Sequence, residues 1–233
     1  ARRIRDTLKK KPNLRISFNM VLRTCPLFIK TRKLVKEGKM GDIYYLEADY
    51  LWGRKEKLIS GWRAKADFYS IINGAAIHMI DLAIWIIGKK PVTVQALGNN
   101  ISTRGGLLKY NDFAALLLEF KNKMVIKISA HGGCVHPHFH TLKVFGKNSS
   151  FIHELTGTTR IKSNKLNIKF ESDNKGYPAK TERRKILSSF LNSFYKKNVS
   201  AIVSDEDVFV TSSICLAAEQ AVKTGQKINI EYL

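Results

Sequence analysis

The sequence predicts an α/β (α+β) fold, with a predominantly antiparallel mixed sheet and helices on one face. An apolar helical pattern spans residues 73–88. Strand patterns then recur about every ten residues with no helical pattern between them, which antiparallel strands allow and parallel strands do not. The strand patterns are 92–98, 112–120, 124–130, 140–145 and 150–153, with a weaker hairpin over 159–170 and a last strand over 227–232. Two further helices are predicted over 181–196 and 205–224.

The N-terminal part of the chain has a different pattern. Residues 1–11 are helical in pattern, and residues 14–18 form a short strand pattern after a turn. A helix that leads through a turn into a short strand is typical of the last step of a parallel sheet. A helix then begins at Pro26, because proline fits the first helical turn, and a long strand covers 43–52. Residues 53–69 have little periodicity and are predicted to be loop.

The apolar helix is the element on which the functional prediction depends. Asn73 is predicted to cap its N-terminus and Gly88 to end it. His78 and Asp81 are three residues apart, so they lie on one side of a helix that is otherwise apolar. These two side chains either satisfy each other in the core or face a cleft. The spacing alone leaves both interpretations open.

The chain is strongly basic. Its net charge is +21, from 40 Lys+Arg against 19 Asp+Glu. The basic residues are spread along the sequence, and several fall on the polar faces of predicted helices. A solvated surface is therefore favoured over a nucleic-acid groove, and we predict no nucleic-acid partner. The positive charge would also attract an anionic small molecule, such as a phosphorylated or nucleotide-linked sugar.

The cysteines and the apolar runs indicate the compartment. Cys25, Cys134 and Cys215 are far apart and include no CxxC pair, which predicts reduced thiols. No apolar run approaches the roughly 18 residues of a membrane span. No leader pattern follows the basic N-terminus. We therefore expect a cytoplasmic chain with no membrane partner.

Residues 131–140 contain a histidine-rich stretch. Cys134, His136, His138 and His140 alternate, so an extended chain would direct all four side chains to one side. Cysteine and histidine suit zinc, but on a straight strand the four would span about 20 Å, too far to enclose one ion. A polar wall of an active site, or a contact between subunits, is favoured, and no metal site is predicted.

Several short motifs occur in a characteristic order. Asn19, Arg23 and Pro26 follow the first strand pattern, and Gly-Trp-Arg at 61–63 precedes the apolar helix. That helix reads Gly-x-x-x-His-x-x-Asp-Leu-x-x-Trp-x-x-Gly over 74–88. Glu-Gly-Lys-Met-Gly-Asp-Ile stands at 37–43 and Thr-Gly-Gln-Lys-Ile-Asn-Ile at 224–230. Over essentially its whole length, the chain resembles the C-terminal part of Gfo/Idh/MocA-type NAD(P)-dependent oxidoreductases.

The resemblance implies a domain organisation and a reaction. Residues 1–25 would be the remnant of a dinucleotide-binding Rossmann domain. Residues 26–233 would be the C-terminal domain that binds substrate and mediates oligomerisation. The implied enzyme is a dehydrogenase that uses NAD or NADP to oxidise a sugar or nucleotide-sugar alcohol. The implied partners are a small sugar-type substrate and further copies of the chain, joined through the open face of the sheet.

The resemblance also assigns candidate site residues. His78 matches the histidine of the family's Asp-x-x-x-His pair and would act in acid–base catalysis, since an unperturbed imidazole titrates near pH 6.5. Gly74 stands where the aspartate of that pair is expected, and Asp81, one turn along, is predicted to substitute in part as the second catalytic residue. The predicted substrate-binding residues are Asn19, Arg23, Trp62, Arg63, His136 and His138.

The cofactor half of such an enzyme is missing from the sequence. There is no G-x-G-x-x-G turn between a strand and a helix, so we predict that this chain alone does not bind NAD(P) tightly. An alternative follows from the same departures. The chain could be a non-catalytic binding or oligomerisation module derived from the family. A nucleic-acid-binding protein is a more distant third interpretation, which steeply salt-dependent binding would reveal.

Overall fold

The chain forms one nine-stranded sheet with helices packed on it. The computed structural model describes residues 1–11, 13–164, 167–172, 177, 181–196 and 198–233. The helices are α1 (Arg2–Lys10), α2 (Pro26–Lys36), α3 (Glu56–Ile59), α4 (Trp62–Lys65), α5 (Ile77–Ile87), α6 (Arg184–Tyr195) and α7 (Asp205–Thr224). The strands are β1 (Ile43–Leu51), β2 (Thr93–Asn99), β3 (Phe113–Glu119), β4 (Val125–His131), β5 (Phe139–Gly146), β6 (Ser149–Glu154), β7 (Gly157–Asn164), β8 (Asn167–Ser172) and β9 (Ile228–Asn229).

The sheet order is β8-β7-β6-β5-β1-β4-β3-β2-β9. Strand β1 pairs parallel with β4, whereas the other described pairs are antiparallel. The predicted class, a predominantly antiparallel mixed sheet with helices, is therefore confirmed. Because β1 is inserted between β4 and β5, the loop after β4 crosses the end of β1 before β5 begins. That crossing brings residues 132–138 next to Trp52 and Gly53, at the end of β1 where the candidate site lies.

The core lies between one face of the sheet and the helices. Helix α5 packs on β1 and β4, α7 packs on β2, and α2 packs on α5. Met79, Ile80 and Leu82 of α5 are fully buried, and burial of one such side chain stabilises the fold by about 1.5–3 kcal/mol. Along β1, buried residues alternate with half-exposed ones such as Glu47 and Asp49. The opposite face of the sheet is thus open among the described residues.

The predicted central helix begins differently from the expectation. A π-helical turn, Ile72–Ala76, precedes α5, so Asn73 lies inside helical structure and is not an N-cap. Its Nδ2 donates to Glu219 Oε1 at 3.1 Å. Gly88 does end the helix, with a left-handed φ of 71° that glycine adopts without strain. Helix α7 has the predicted acidic start, with a capping box between Ser204 and Asp207.

Four predicted segments differ from the structure. Residues 14–18 form no strand with any described segment; instead the Ile16 amide donates to Asp205 Oδ1 at 2.8 Å. Residues 53–69 contain α3 and α4, which lack the length that gives a clear helical period. Residues 131–140 are not one straight strand, because β4 ends at His131 and β5 begins at Phe139. The final strand is only Ile228–Asn229.

The remaining sequence-wide expectations concern cysteines and membranes. The three cysteines, all within the described ranges, form no disulfide. None of the described helices combines the length and the hydropathy that a membrane span requires.

Candidate functional site

The candidate site lies at one edge of the sheet. Parallel strands β1 and β4 end there, and β5 begins there because it runs in the opposite direction. This arrangement brings Tyr50 of β1 beside His140 of β5, its register partner. Helix α5 starts over the same edge and contributes His78. The site is therefore formed by a strand end, a strand start and a helix start that are far apart in sequence.

Tyr50 connects three histidines at this edge. Its ring lies 4.5 Å from that of His140, 5.3 Å from that of His138 and 5.9 Å from that of His78, measured between centroids. Its hydroxyl and His138 Nε2 are 3.1 Å apart and share a hydrogen bond. Burial raises the pKa of Tyr50, and the charge of Arg54 opposes that rise. Tyr50 is thus a neutral hydrogen-bonding centre of the cluster.

His78 is half-buried, and one of its ring nitrogens is unpaired among the described residues. Its Nδ1 is inaccessible to solvent and has no hydrogen-bond partner in the part of the chain that the structure describes. Burial, with a contribution from His138, lowers the pKa of His78 to about 4. The imidazole is therefore neutral at pH 7. A neutral imidazole can accept a proton from a ligand hydroxyl within hydrogen-bond reach, and for Nδ1 this requires a covering side chain to move.

An aromatic wall supports the cluster from behind. His140 Nδ1 and the Tyr177 hydroxyl are 2.8 Å apart, and the same hydroxyl accepts from the His140 amide at 3.1 Å. Tyr177 packs edge-on against His153 at 4.6 Å, and His153 Nδ1 lies 2.7 Å from Thr158 Oγ1. Burial lowers the pKa of His140 well below its usual value and that of His153 to about 4, and raises that of Tyr177. These groups are neutral and fix the position of Tyr50.

Arg63 and Trp62 form a second part of the site. The Arg63 guanidinium carbon lies 4.5 Å from the centroid of Trp62, 5.1 Å from that of Trp52 and 5.7 Å from that of Tyr69. Trp62 is 65% exposed, which is high for an indole. Arg63 Nε is buried and has no hydrogen-bond partner among the described residues, and the buried Tyr69 hydroxyl faces the Arg63 guanidinium. The predicted Gly-Trp-Arg motif thus presents an exposed aromatic face beside a cation.

Gly74 is required by its neighbour Tyr69. A Cβ atom on residue 74 would overlap the Tyr69 hydroxyl oxygen and lie 2.5 Å from Tyr69 Cζ. No side chain fits there while the Tyr69 ring keeps its position. The phenol therefore occupies the space into which the aspartate expected from the family resemblance would extend, one turn before His78.

Asp81 and Arg23 contact each other inside the protein. Arg23 Nε donates to Asp81 Oδ2 at 2.9 Å and Arg23 Nη2 to Oδ1 at 2.6 Å, with side chains only 4% and 1% exposed. Arg23 also pairs with Asp207 at 3.0 Å. Burial opposes the charge of Arg23, but hydrogen bonds to the two aspartates outweigh it and raise its pKa. Asp81 is therefore directed at Arg23 and α7, and the pair that the sequence suggested, His78 with Asp81, does not form.

The remaining predicted residues lie towards the surface. His138 joins the cluster, whereas His136 is half-buried and bonds through Nδ1 to the Pro137 carbonyl at 2.7 Å. Asn19 is exposed before a 3₁₀ turn, Val21–Thr24, and its side chain makes no hydrogen bond to a described residue. Within the described ranges, no three His, Cys, Asp or Glu residues are placed to hold a metal ion.

The sequence analysis missed the tyrosines. Tyr50, Tyr69 and Tyr177 supply the hydroxyls that organise the site, and His140 and His153 complete it. Tyr50 had no detectable signal, because the parallel pairing of β1 with β4, which places its strand end where ligands bind in α/β sheets, appears only in the structure. Tyr177 had none either, since the sequence around it is polar and carries no helix or strand pattern.

The comparisons with known proteins identify the fold. The structure matches myo-inositol 2-dehydrogenase from Lactobacillus plantarum with a TM-score of 0.76 at 21% identity, covering 97% of this chain and 68% of that one. It matches scyllo-inositol dehydrogenase from Lactobacillus casei, solved with NAD(H) and scyllo-inositol, with a TM-score of 0.69 at 18% identity and coverages of 97% and 67%. It also matches levoglucosan dehydrogenase, solved in complex with NADH and L-sorbose, with a TM-score of 0.75 at 17% identity. This match covers 96% of this chain and 68% of that one.

The chain thus spans about two thirds of the length of these proteins. No curated protein sequence matches it. The sequence of residues 28–152, more than half of the chain, matches the GFO/IDH/MocA C-terminal domain. The chain therefore belongs to the GFO/IDH/MocA family of oxidoreductases.

Proposed function

We propose that this chain is the substrate-binding portion of an NAD(P)-dependent oxidoreductase that acts on a sugar or nucleotide-sugar alcohol. The observation that carries the proposal is the neutral, unpartnered Nδ1 of His78 inside a cluster of tyrosine and histidine side chains. Sugar hydroxyls need both donors and acceptors, and Tyr50 with His138 offers both. The exposed Trp62 offers an apolar face to a sugar ring.

In this proposal His78 accepts the proton of the alcohol hydroxyl as the carbon is oxidised. A general base needs to be within about 2.6–3.2 Å of that proton's oxygen and to be unprotonated at the working pH. Burial meets the second requirement, because the lowered pKa keeps His78 neutral throughout the physiological range, although the same shift makes the imidazole a weaker base. Tyr50 and His138 would orient neighbouring hydroxyls of the same substrate.

Other predicted residues take supporting roles. Trp62 and Arg63 would contact the ring and a polar substituent, while His136 and Asn19 would contact substrate only from the rim. We propose that Arg23 and Asp81 fix α5 through their buried ion pair and do not touch substrate. The π-helical turn and the Tyr69 contact then set the height of His78 over the sheet edge.

The residues present do not fit a dinucleotide site. A pyrophosphate site needs a strand, a glycine-rich turn and a helix N-terminus. Among the described elements, β1 is followed by α3, a four-residue helix, and the connecting residues 52–55 contain a single glycine, Gly53. We propose that NAD or NADP binds in a Rossmann domain of which residues 1–25 are the last part. Residues 26–233 would then be the substrate and assembly domain.

The open sheet face is the proposed assembly surface. Leu97 is 74% and Leu117 47% exposed on this face, and Tyr45 stacks on Phe145 there at 5.8 Å. Apolar side chains on an open sheet favour burial against another protein surface. A second copy of the chain is the proposed partner, and a cytoplasmic location remains our prediction.

One observation favours the alternative, a non-catalytic module. Gly74 and the Tyr69 hydroxyl together remove the acidic partner from the helix turn before His78. The enzyme proposal and the module are distinguished by measuring whether the protein purified from its source forms NAD(P)H when a sugar is added. If the enzyme proposal is correct, His78→Gln should lower the rate by about 10²–10⁴-fold without unfolding the protein. Sugar binding without any turnover would favour the module.

Binding can be tested directly by isothermal titration calorimetry. myo-Inositol, D-glucose and UDP-glucose would each be titrated into the protein and into Trp62→Ala. We expect saturable binding of at least one ligand and a loss of about fivefold or more in Trp62→Ala, from the stacking it removes. Tyr195→Ala, at a still more exposed aromatic residue on α6, should leave the affinity unchanged. No binding by any of the three would remove the basis of the proposal.

A further inference from the structure

Arg63 is held by aromatic rings and has no acidic partner. Trp52, Trp62 and Tyr69 lie around its guanidinium, so its plane is fixed without a counter-ion. No carboxylate in the described part of the chain lies within ion-pair distance of it. Its buried Nε has no hydrogen-bond partner in the described part of the chain, and the Tyr69 hydroxyl faces the same guanidinium. Unsatisfied buried donors of this kind are costly unless a ligand pairs with them.

The surrounding charges have the same sign. Arg54 follows Gly53, which lies against the His136 carbonyl at the mouth of the cluster. Arg183 lies in a 3₁₀ turn, Thr181–Arg183, that packs on the turn Val21–Thr24. After burial, the charge with the largest effect on the pKa of both Tyr50 and His138 is that of Arg54, and Arg183 also acts on both. Neither arginine has a described carboxylate partner.

We propose that the candidate site selects a sugar-type substrate that carries an anionic group, a carboxylate or a phosphate, bound by Arg63 and the Tyr69 hydroxyl in the field of Arg54 and Arg183. The proposal rests on the proposed function and names its substrate class. A guanidinium is suited to this task because it presents paired donors to two oxygens of an anion. Neutral polyols would leave the Arg63 charge without a partner, so they would bind more weakly at this site.

The test compares ligands that share the glucose ring and differ in the charge of one substituent. D-Glucose, D-glucuronate and D-glucose 6-phosphate are titrated calorimetrically into the protein, with inorganic phosphate as the anion alone. We expect one of the two charged sugars to bind at least about tenfold more tightly than glucose, as one charge-assisted contact provides. The preference should weaken as salt is added, because ions screen the attraction.

The variants assign the effect to Arg63. Arg63→Met keeps the apolar stem against the rings and removes the charge, so the preference for the charged sugar should fall to about threefold or less. Arg63→Lys restores the charge without the paired donors and should recover part of the preference. Arg3→Met, which removes the same charge from an exposed position on α1, should change nothing.

The possible outcomes distinguish the anion inference from the proposed function on which it rests. Equal binding of glucose and both charged sugars overturns the anion inference and leaves the sugar-binding proposal standing. Inorganic phosphate that binds as tightly as glucose 6-phosphate overturns it too, because the anion would then be recognised without the sugar. No binding of any sugar overturns both. If Arg63→Met still binds the charged sugar tenfold more tightly than glucose, another cation binds the anion, and the assignment of anion binding to Arg63 is contradicted.

Discussion

Replacing Asp81 with asparagine tests whether this residue supports the helix or takes part in chemistry. The side chain is 1% exposed and accepts two hydrogen bonds from Arg23, at 2.6 and 2.9 Å. Removing one partner of a buried ion pair usually costs about 3–5 kcal/mol, since the other charge stays buried. Asp207 remains 3.0 Å from Arg23 and is partly exposed, so part of the charge stays compensated. We therefore expect a loss of about 3 kcal/mol in the free energy of unfolding.

The assay is urea denaturation followed by tryptophan fluorescence. With a slope of about 2–3 kcal/mol per molar urea, Asp81→Asn should lower the midpoint by about 1–1.5 M. The double variant Arg23→Met with Asp81→Leu should lose less than the sum of the two single changes, because it removes both charges. Asp42→Asn is the matched control, since it breaks an ion pair to Lys147 whose side chains are 80% and 70% exposed. It should not shift the midpoint measurably.

A midpoint for Asp81→Asn equal to that of the unchanged protein would refute this reasoning. If the variant also lost sugar binding while its midpoint stayed the same, Asp81 would belong to the site, as the sequence suggested. A lower midpoint with normal sugar affinity in the folded fraction supports the structural role.

Three further predictions follow from the site. Gly74→Ala should destabilise the protein by about 1–3 kcal/mol in urea denaturation through its clash with Tyr69, and adding Tyr69→Ala should remove most of that extra cost. The pKa of His78 lies near 4 when folded and near 6.5 when unfolded, so the unfolded state binds more protons between these values. Stability should therefore rise with pH from about 4 to 6.5, by up to about 1.4 kcal/mol per pH unit, in denaturation at several pH values. Trp62→Ala should weaken sugar binding in calorimetry but change stability by less than about 1 kcal/mol, because its ring is 65% exposed.

Each of these has a control and a contrary result. The single variant Tyr69→Ala is the control for the double variant with Gly74→Ala. If the losses in the free energy of unfolding of the two single variants simply added in the double variant, the proposed clash between residue 74 and Tyr69 would be contradicted. His78→Gln should remove the share of the slope that His78 contributes and leave the share of His140 and His153, whose pKa values burial also lowers. A slope identical to that of the unchanged protein would contradict the assignment. A large loss of stability in Trp62→Ala would show that the indole belongs to the core.

The sheet was predictable because its strands carry local signals. Alternation along β2 to β6 marks one buried face, and turn residues separate the strands, so each element could be placed within a few residues. The parallel pairing of β1 with β4 could not be derived, because it depends on β1 inserting between strands that are distant in sequence. The strand predicted over residues 14–18 was wrong for a related reason. Their β pattern is local, but their hydrogen bonds go to Asp205 and Val203.

The site was predictable only in part. Spacing correctly placed His78 and Asp81 on α5, but it could not show that Asp81 turns to Arg23, a residue 58 positions earlier. The absence of an aspartate at Gly74 was visible in the sequence, whereas its cause, the Tyr69 ring, appears only in three dimensions. Side-chain direction across separate elements is set by packing, which single-sequence patterns do not contain.

The central claim, that a sugar binds at the edge of the sheet beside His78 and Trp62, is tested most directly by NMR. The indole N–H signals of Trp52, Trp62 and Trp85 would be followed while D-glucose and D-glucuronate are added in separate titrations. Trp85 is the internal reference, because its ring packs against Arg32 at 4.4 Å, away from the cluster. We predict saturable shifts of the Trp62 and Trp52 signals with an unchanged Trp85. No saturable shift with either sugar, or a shift of Trp85 alone, would contradict the account.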